Sequence, residues 1–293
     1  MITHVGRLLV AATFAIATEL AAFAQSAPTR MIDANSATID TLLQTAGPAW
    51  ATDKSQHFVV HMERSAAVST RPAMSAMIDS LEAAWDGAVA LLATPVSDQS
   101  RAHVFVTASR TRFAGLIKPD NKGLYIALRS GHEVILIVHN DSVRAYTRHE
   151  VMHDVSYRAW GTRSGKNTWL AEALATFADG KCQGAPFIAV ARDVLASKPA
   201  LNVNGLRSDF GGMSSESRAT AYVLGASLVD FLWDTRGREG VRRIWTGLDT
   251  LVDPTPLPGV GGNVTVAWRA HVARKAGTMP GISPQSLERS GCG

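Results

Sequence analysis

The sequence predicts an α+β fold, with a small N-terminal mixed sheet and its helices leading into a mainly helical half and a site in the cleft between them. Three observations predict it. Short apolar runs bounded by turn residues are confined to about residues 55–138. Beyond residue 140 the apolar positions recur at helical spacing. No internal repeat or low-complexity linker separates the halves, so they are expected to share one cleft. The 293 residues are 46% hydrophobic and 18% charged, which is ordinary globular composition, enough for one substantial core.

Residues 25–54 read as an Ala/Ser/Thr-rich N-terminal extension with a weak helical stretch at 39–43. Phe58, Val59 and Val60 mark a strand over 55–62. Pro72 opens a helix over 73–93, where Met74, Met77, Ile78, Leu81, Ala84, Trp85, Ala88 and Leu92 keep a 3.6-residue period and Thr94-Pro95 ends it. A short strand is expected at 103–107, then a helix capped by Ser109 and running to Leu116. Pro119, Asp120, Asn121 and Gly123 mark a turn over 118–123, and two strands come next at 124–128 and 134–138. Asn140, Asp141 and Ser142 offer N-caps for a helix over 142–159, which Gly161 stops. Helices are expected at 169–178, 187–196, 219–235, 240–248 and 264–275, with a polar loop at 202–217, a Pro/Gly loop at 253–262 and a flexible tail over 277–293.

The ends and the charge bound the setting. Residues 1–24 read as a secretory signal peptide: a weakly positive start, an apolar core from Leu8 to Ala17 and a small-x-small site at Ala22-Phe23-Ala24. The expectation is a secreted or periplasmic protein with no stable membrane insertion after cleavage, since no later segment is apolar for long enough to span a bilayer. The net charge of +4 comes from scattered Arg residues without a basic run, so no nucleic-acid partner is expected. In an oxidising compartment the two cysteines, Cys182 and Cys292, are a disulfide candidate. Whether they pair depends on geometry, which spacing alone does not supply.

The chemistry concentrates at His149-Glu150-Val151-Met152-His153. Four-residue spacing on a helix puts both imidazoles on one face, where their neutral nitrogens can bind one Zn²⁺. Glu150, beside the first ligand, is placed to act as general base on a zinc-activated water. Two solvent-facing histidines would predict nothing further along the chain, whereas zinc requires a third ligand. A Gly three residues after the second His, with a third His six after it, would supply one, but those positions are Ser156 and Ala159. Glu172 on the next helix is the other option, with 18 residues between it and His153, enough for a helix end, a loop and an antiparallel return. The remaining histidines, His57, His61, His103, His132 and His139, lie at strands or strand ends and read as ordinary structural residues.

His149-Glu150-x-x-His153 followed by Trp169-x-x-Glu172 resembles the gluzincin zinc metallopeptidases, and within them the peptidase-MA-like domains and the aminopeptidase branch. The resemblance covers about residues 55–275, and the domain is drawn at 55–276. It implies a thermolysin-like catalytic fold, one zinc ion held by His149, His153 and Glu172, and Glu150 as base and proton shuttle. It also implies Tyr222, in Ala221-Tyr222-x-x-Gly225, as the phenol that hydrogen-bonds the oxyanion, and Asp179 as a carboxylate orienting a ligand. The strand carrying Leu124, Tyr125 and Ile126 takes the place where such enzymes pair an edge with extended substrate. The family usually has Gly after the ligand Glu, where this chain has Ala173, and no glycine-rich motif here would grip a free N-terminus. The expectation is therefore an exported zinc peptidase acting on peptide or protein substrates. The alternative is a zinc-binding envelope protein that binds peptides or partners without turnover. Oligomeric state is left open.

Overall fold

The computed structural model describes residues 50–64, 71–96, 100–113, 123–127, 133–140, 145–161, 168–209, 215–251 and 262–290. The expected signal peptide, the stretch at 39–43, His132 and Cys292 lie outside them.

The architecture is α+β. Strands β1 (Trp50–Lys54), β2 (Phe58–Glu63), β3 (Ala102–Thr107), β4 (Gly123–Ala127) and β5 (Glu133–Val138) form a mixed sheet in the order β1-β2-β3-β5-β4. β2, β3 and β5 run parallel, while β1 and β4 are antiparallel strands at the two edges. Successive side chains along a strand point to opposite faces, which sorts them between two cores. Phe58, Val60, Met62, Ala102, Val104, Val106, Ile135 and Ile137 join the main core, and Phe105, Val134, Leu136 and Val138 join a smaller one with Trp50 and Phe113. β5 is apolar almost throughout because both its faces are buried.

Helix α1 (Arg71–Leu92) covers the main-core face and packs against α2 (Thr147–Trp160). The chain then continues through α3 (Thr168–Asp179), a two-stranded ribbon of β6 (Lys181–Cys182) and β7 (Ala185–Pro186), α4 (Phe187–Ser197), α5 (Val203–Asp209), α6 (Ser215–Trp245), α7 (Val264–Ala276) and α8 (Pro284–Ser290). α6 is the spine of the helical half, with α3, α4, α7 and α8 against it. Trp245 Nε1 donates to Gly161 O over 2.9 Å, tying the end of α2 to the end of α6. Lys275 on α7 donates to Asp230 and Asp234 on α6, and His271 Nε2 lies 2.7 Å from Asp230 Oδ2. No helix among the described residues is long and apolar enough to cross a membrane.

Several boundaries differ from expectation for identifiable reasons. β1 lies in the expected N-terminal extension; of its five residues only Trp50 is buried, so an exposed edge strand leaves no alternating pattern. Ser109 does cap, its Oγ accepting from Thr111 N at 3.3 Å, but the element it opens is a 3₁₀ turn over Arg110–Phe113, with residues 114–116 outside the described set. α2 begins at Thr147 rather than near Ser142, and its N-cap, Tyr146, makes no side-chain capping bond. The expected loop at 202–217 contains α5, which Asn202 caps by accepting from Gly205 N at 2.8 Å. The helices expected at 219–235 and 240–248 are one run broken at Gly237, whose φ of 65° suits glycine. The expected flexible tail contains α8, whose Leu287 is fully buried in the main core. Cys182 is buried and disulfide-bonded, while its candidate partner Cys292 lies outside the described residues.

Docking of α8 makes a measurable claim. Leu287→Ala should destabilise the protein by about 2–4 kcal/mol, as other buried leucine truncations do. Urea unfolding reads this directly, and a loss near zero would mean that the C-terminal helix is not part of the core.

Candidate metal centre

The site is built on α2, a helix buried on nearly all sides. Thr147, His149, Glu150, Val151, Met152, His153, Asp154, Val155, Ser156 and Trp160 are all buried. Burying polar groups is costly unless they meet partners. Thr147 bonds Ser80 on α1, the two imidazoles meet Glu172 on α3, and Asp154 pairs with Arg158 one turn along the same helix. His149 and His153 stand one turn apart, ring centroids 4.9 Å from each other. α3 brings Glu172 to both, its Oε2 lying 3.3 Å from His149 Nε2 and 3.6 Å from His153 Nε2. The three side chains can place one ligand atom each within 4.8 Å of the others, so this group could hold a metal ion. The 18-residue spacing lets α3 return against α2, and the two helices pack together. Trp169, Leu170, Ala173 and Leu174 fix it by packing the other sides of α3 into the core. Ala173 is fully buried there.

The two carboxylates at the site are driven in opposite directions. Burial pushes the Glu150 carboxyl up to about 7, with His149 opposing and Glu172 reinforcing. Burial also acts to raise Glu172. The charge of His153, with hydrogen bonds from both imidazoles, outweighs it and holds Glu172 well below the usual carboxylate range. The two acids thus sit in different electrostatic environments although they share the same histidines.

Tyr222 reaches the same point from α6. Its ring stacks beside His149 at 6.1 Å, and its hydroxyl donates to Glu172. Burial, with the Glu172 charge, raises its pKa far above neutrality, so the phenol remains a hydrogen-bond donor. Asp179, at the end of α3, is half-buried, and its charge acts on Tyr146. Tyr146 in turn meets His149 edge-on at 6.2 Å, so the carboxylate sits one ring away from that imidazole.

Of the expected substrate strand, Tyr125 points toward α2. Its ring stacks against His153 at 6.2 Å and Tyr157 at 5.6 Å, while Leu124 and Ile126 face the smaller core. Whatever β4 offers a ligand therefore comes from its backbone, since among the described residues it pairs only with β5.

Residue-type patterns did not single out three further groups. Arg158 pairs with Asp154 at 2.8 Å and with Glu133 on β5, lies 5.3 Å over the Trp85 ring, and donates to Ser100 O at 2.8 Å. The i,i+4 spacing of Asp154 and Arg158 was the available signal. Gly123 lies directly against Glu150. Tyr146 precedes α2 without any pattern to mark it. Three of the other expected histidines are engaged elsewhere. His57 pairs with Glu82 at 2.5 Å, and His61 Nε2 lies 3.0 Å from His103 Nδ1. A second acidic group, Asp230, Asp234 and His271, also has metal-capable geometry, but the Lys275 ammonium sits between its carboxylates. No protein-family model matches the chain, and no curated protein matches it.

The purified protein should bind one equivalent of divalent metal, and Glu172→Ala should weaken binding by about 10²-fold or more, because it removes one of three ligands. Chelator competition with elemental analysis measures both. Unchanged affinity in Glu172→Ala would remove α3 from the site.

Proposed function

We propose that this protein is an exported zinc peptidase of the gluzincin kind, with a thermolysin-like catalytic domain. The observation that carries the proposal is the convergence of His149, His153 and Glu172 on one point, with Tyr222 hydrogen-bonded to Glu172. Two imidazoles and one carboxylate are a donor set suited to catalytic zinc, which keeps a further position for water or substrate. The cleavable leader read in residues 1–24 supports export.

When bound, zinc supplies a Lewis acid that polarises the scissile carbonyl and lowers the pKa of water at the site. The chain's residues do the rest. Glu150 takes the proton from the attacking water and passes it to the leaving amine, a role suited to a carboxyl pushed up to about 7 by burial. Tyr222 keeps its proton and donates to the oxyanion that forms on the carbonyl. An extended peptide adds to the edge of β4 that no described strand pairs, beside the helix that carries the ligands.

Glu150→Gln should lower kcat by about 10²–10⁴-fold at unchanged zinc content. Tyr222→Phe should lower kcat by about 10²-fold with KM little altered, since the phenol acts mainly on developing charge. A peptide library with the wild type and both variants tests this. Zinc-loaded wild type that binds peptides without cutting any would favour a non-catalytic binding protein instead.

A further inference from the structure

Gly123, the first residue of β4, is a glycine for which the backbone gives no reason. It is paired with Ile137 in regular antiparallel register and is not among the glycines with positive φ. A strand position of that kind accepts alanine readily, and glycine there costs conformational entropy. What excludes a side chain is Glu150. A Cβ built on Gly123 would lie 2.3 Å from Glu150 Oε1, 2.7 Å from Cδ and 2.8 Å from Cγ. All three nearest atoms belong to that one side chain, and none is backbone. A methyl group at this position would thus displace the carboxylate while leaving strand pairing intact.

The next residue on the same face explains why the contact falls there. Tyr125 stacks on His153 and Tyr157, so β4 runs along α2 with an aromatic ring wedged against the second histidine. Two residues earlier, the strand has only a Cα opposite Glu150. Tyr125 sets the strand's register on the helix, and Gly123 leaves the notch in which the carboxylate is seated.

We infer that Gly123 is a positioning residue for Glu150: the bare backbone of the edge strand fixes where the base carboxylate sits. This rests on the catalytic role proposed above for Glu150. The same strand that offers its edge to an extended peptide also seats the group that would deprotonate the water, so substrate register and base position share one reference. To reach even the closest separation that real Cβ atoms show, Glu150 Oε1 would have to move by about 0.7 Å. Misplacing a reacting group by about 1 Å costs on the order of 10²-fold in rate.

The test uses the full zinc-loaded protein. Gly123→Ala should retain one equivalent of zinc and lower kcat by about 10²-fold, with KM changed only a few-fold. Its melting temperature should fall by about 4 °C in the Glu150 background, and should be unchanged or raised when the same substitution is made in Glu150→Ala. Full activity of Gly123→Ala, loss of its zinc, or an equal loss of melting temperature in both backgrounds would overturn the inference. Wild type that cleaves no peptide would overturn the proposed function instead. The melting comparison would still decide whether Glu150 is what keeps residue 123 a glycine.

Discussion

The constraint on which the rest of the structure depends is the burial of α2 with its polar side chains inside. His149, Glu150, His153 and Asp154 are all less than a tenth exposed, within six consecutive residues. Unpartnered groups of that kind would cost several kcal/mol each. Different groups meet them: α3 brings Glu172 to the two imidazoles, Arg158 on α2 itself pairs with Asp154 and also with Glu133 on β5, and the bare Gly123 of β4 leaves room for Glu150.

Electrostatics depend on the same packing. Glu150 and Glu172 are both carboxylates beside the same histidines, yet one is driven up and the other down. The difference lies in what each touches. Glu172 receives hydrogen bonds from both imidazoles, whereas Glu150 lies against backbone and is dominated by loss of solvent. At the far end of α2, burial pushes Glu133 up to about 7 and Asp154 adds to the shift, against the pull of Arg158. One arginine between a buried and a half-buried carboxylate ties the helix to the sheet. The Trp85 face under the guanidinium completes the packing from α1.

Two elements far apart in sequence frame the point where His149, His153 and Glu172 meet. β4 runs beside α2 through Tyr125 and Gly123, and α6 presents Tyr222 from the helical half. The first belongs to the sheet and the second to the spine, so the site depends on the joint between the halves. Trp245 bonded to Gly161 and packed on Tyr157 and Trp160 holds that joint at the C-terminal end of α2.

Much of this was legible in sequence. The order of strands before helices, the period of α1 and α3, and the His149, His153 and Glu172 set are all read from local spacing, because periodicity and ligand spacing are properties of the nearby chain. Elements with little apolar content were not legible. β1 buries only Trp50, α5 is a seven-residue helix, and α8 is held chiefly by Leu287. Each is stable only because something distant covers it. The same holds within the site. Sequence by itself determined which side chains could ligate a metal and that Glu150 stands beside them. Only the tertiary structure decided that Tyr125 turns toward His153, that Arg158 reaches Glu133 on β5, and that Glu150 fills the space a side chain at residue 123 would need. These are contacts between segments distant in sequence, where the allowed volume is set by the partner and not by the chain's own pattern.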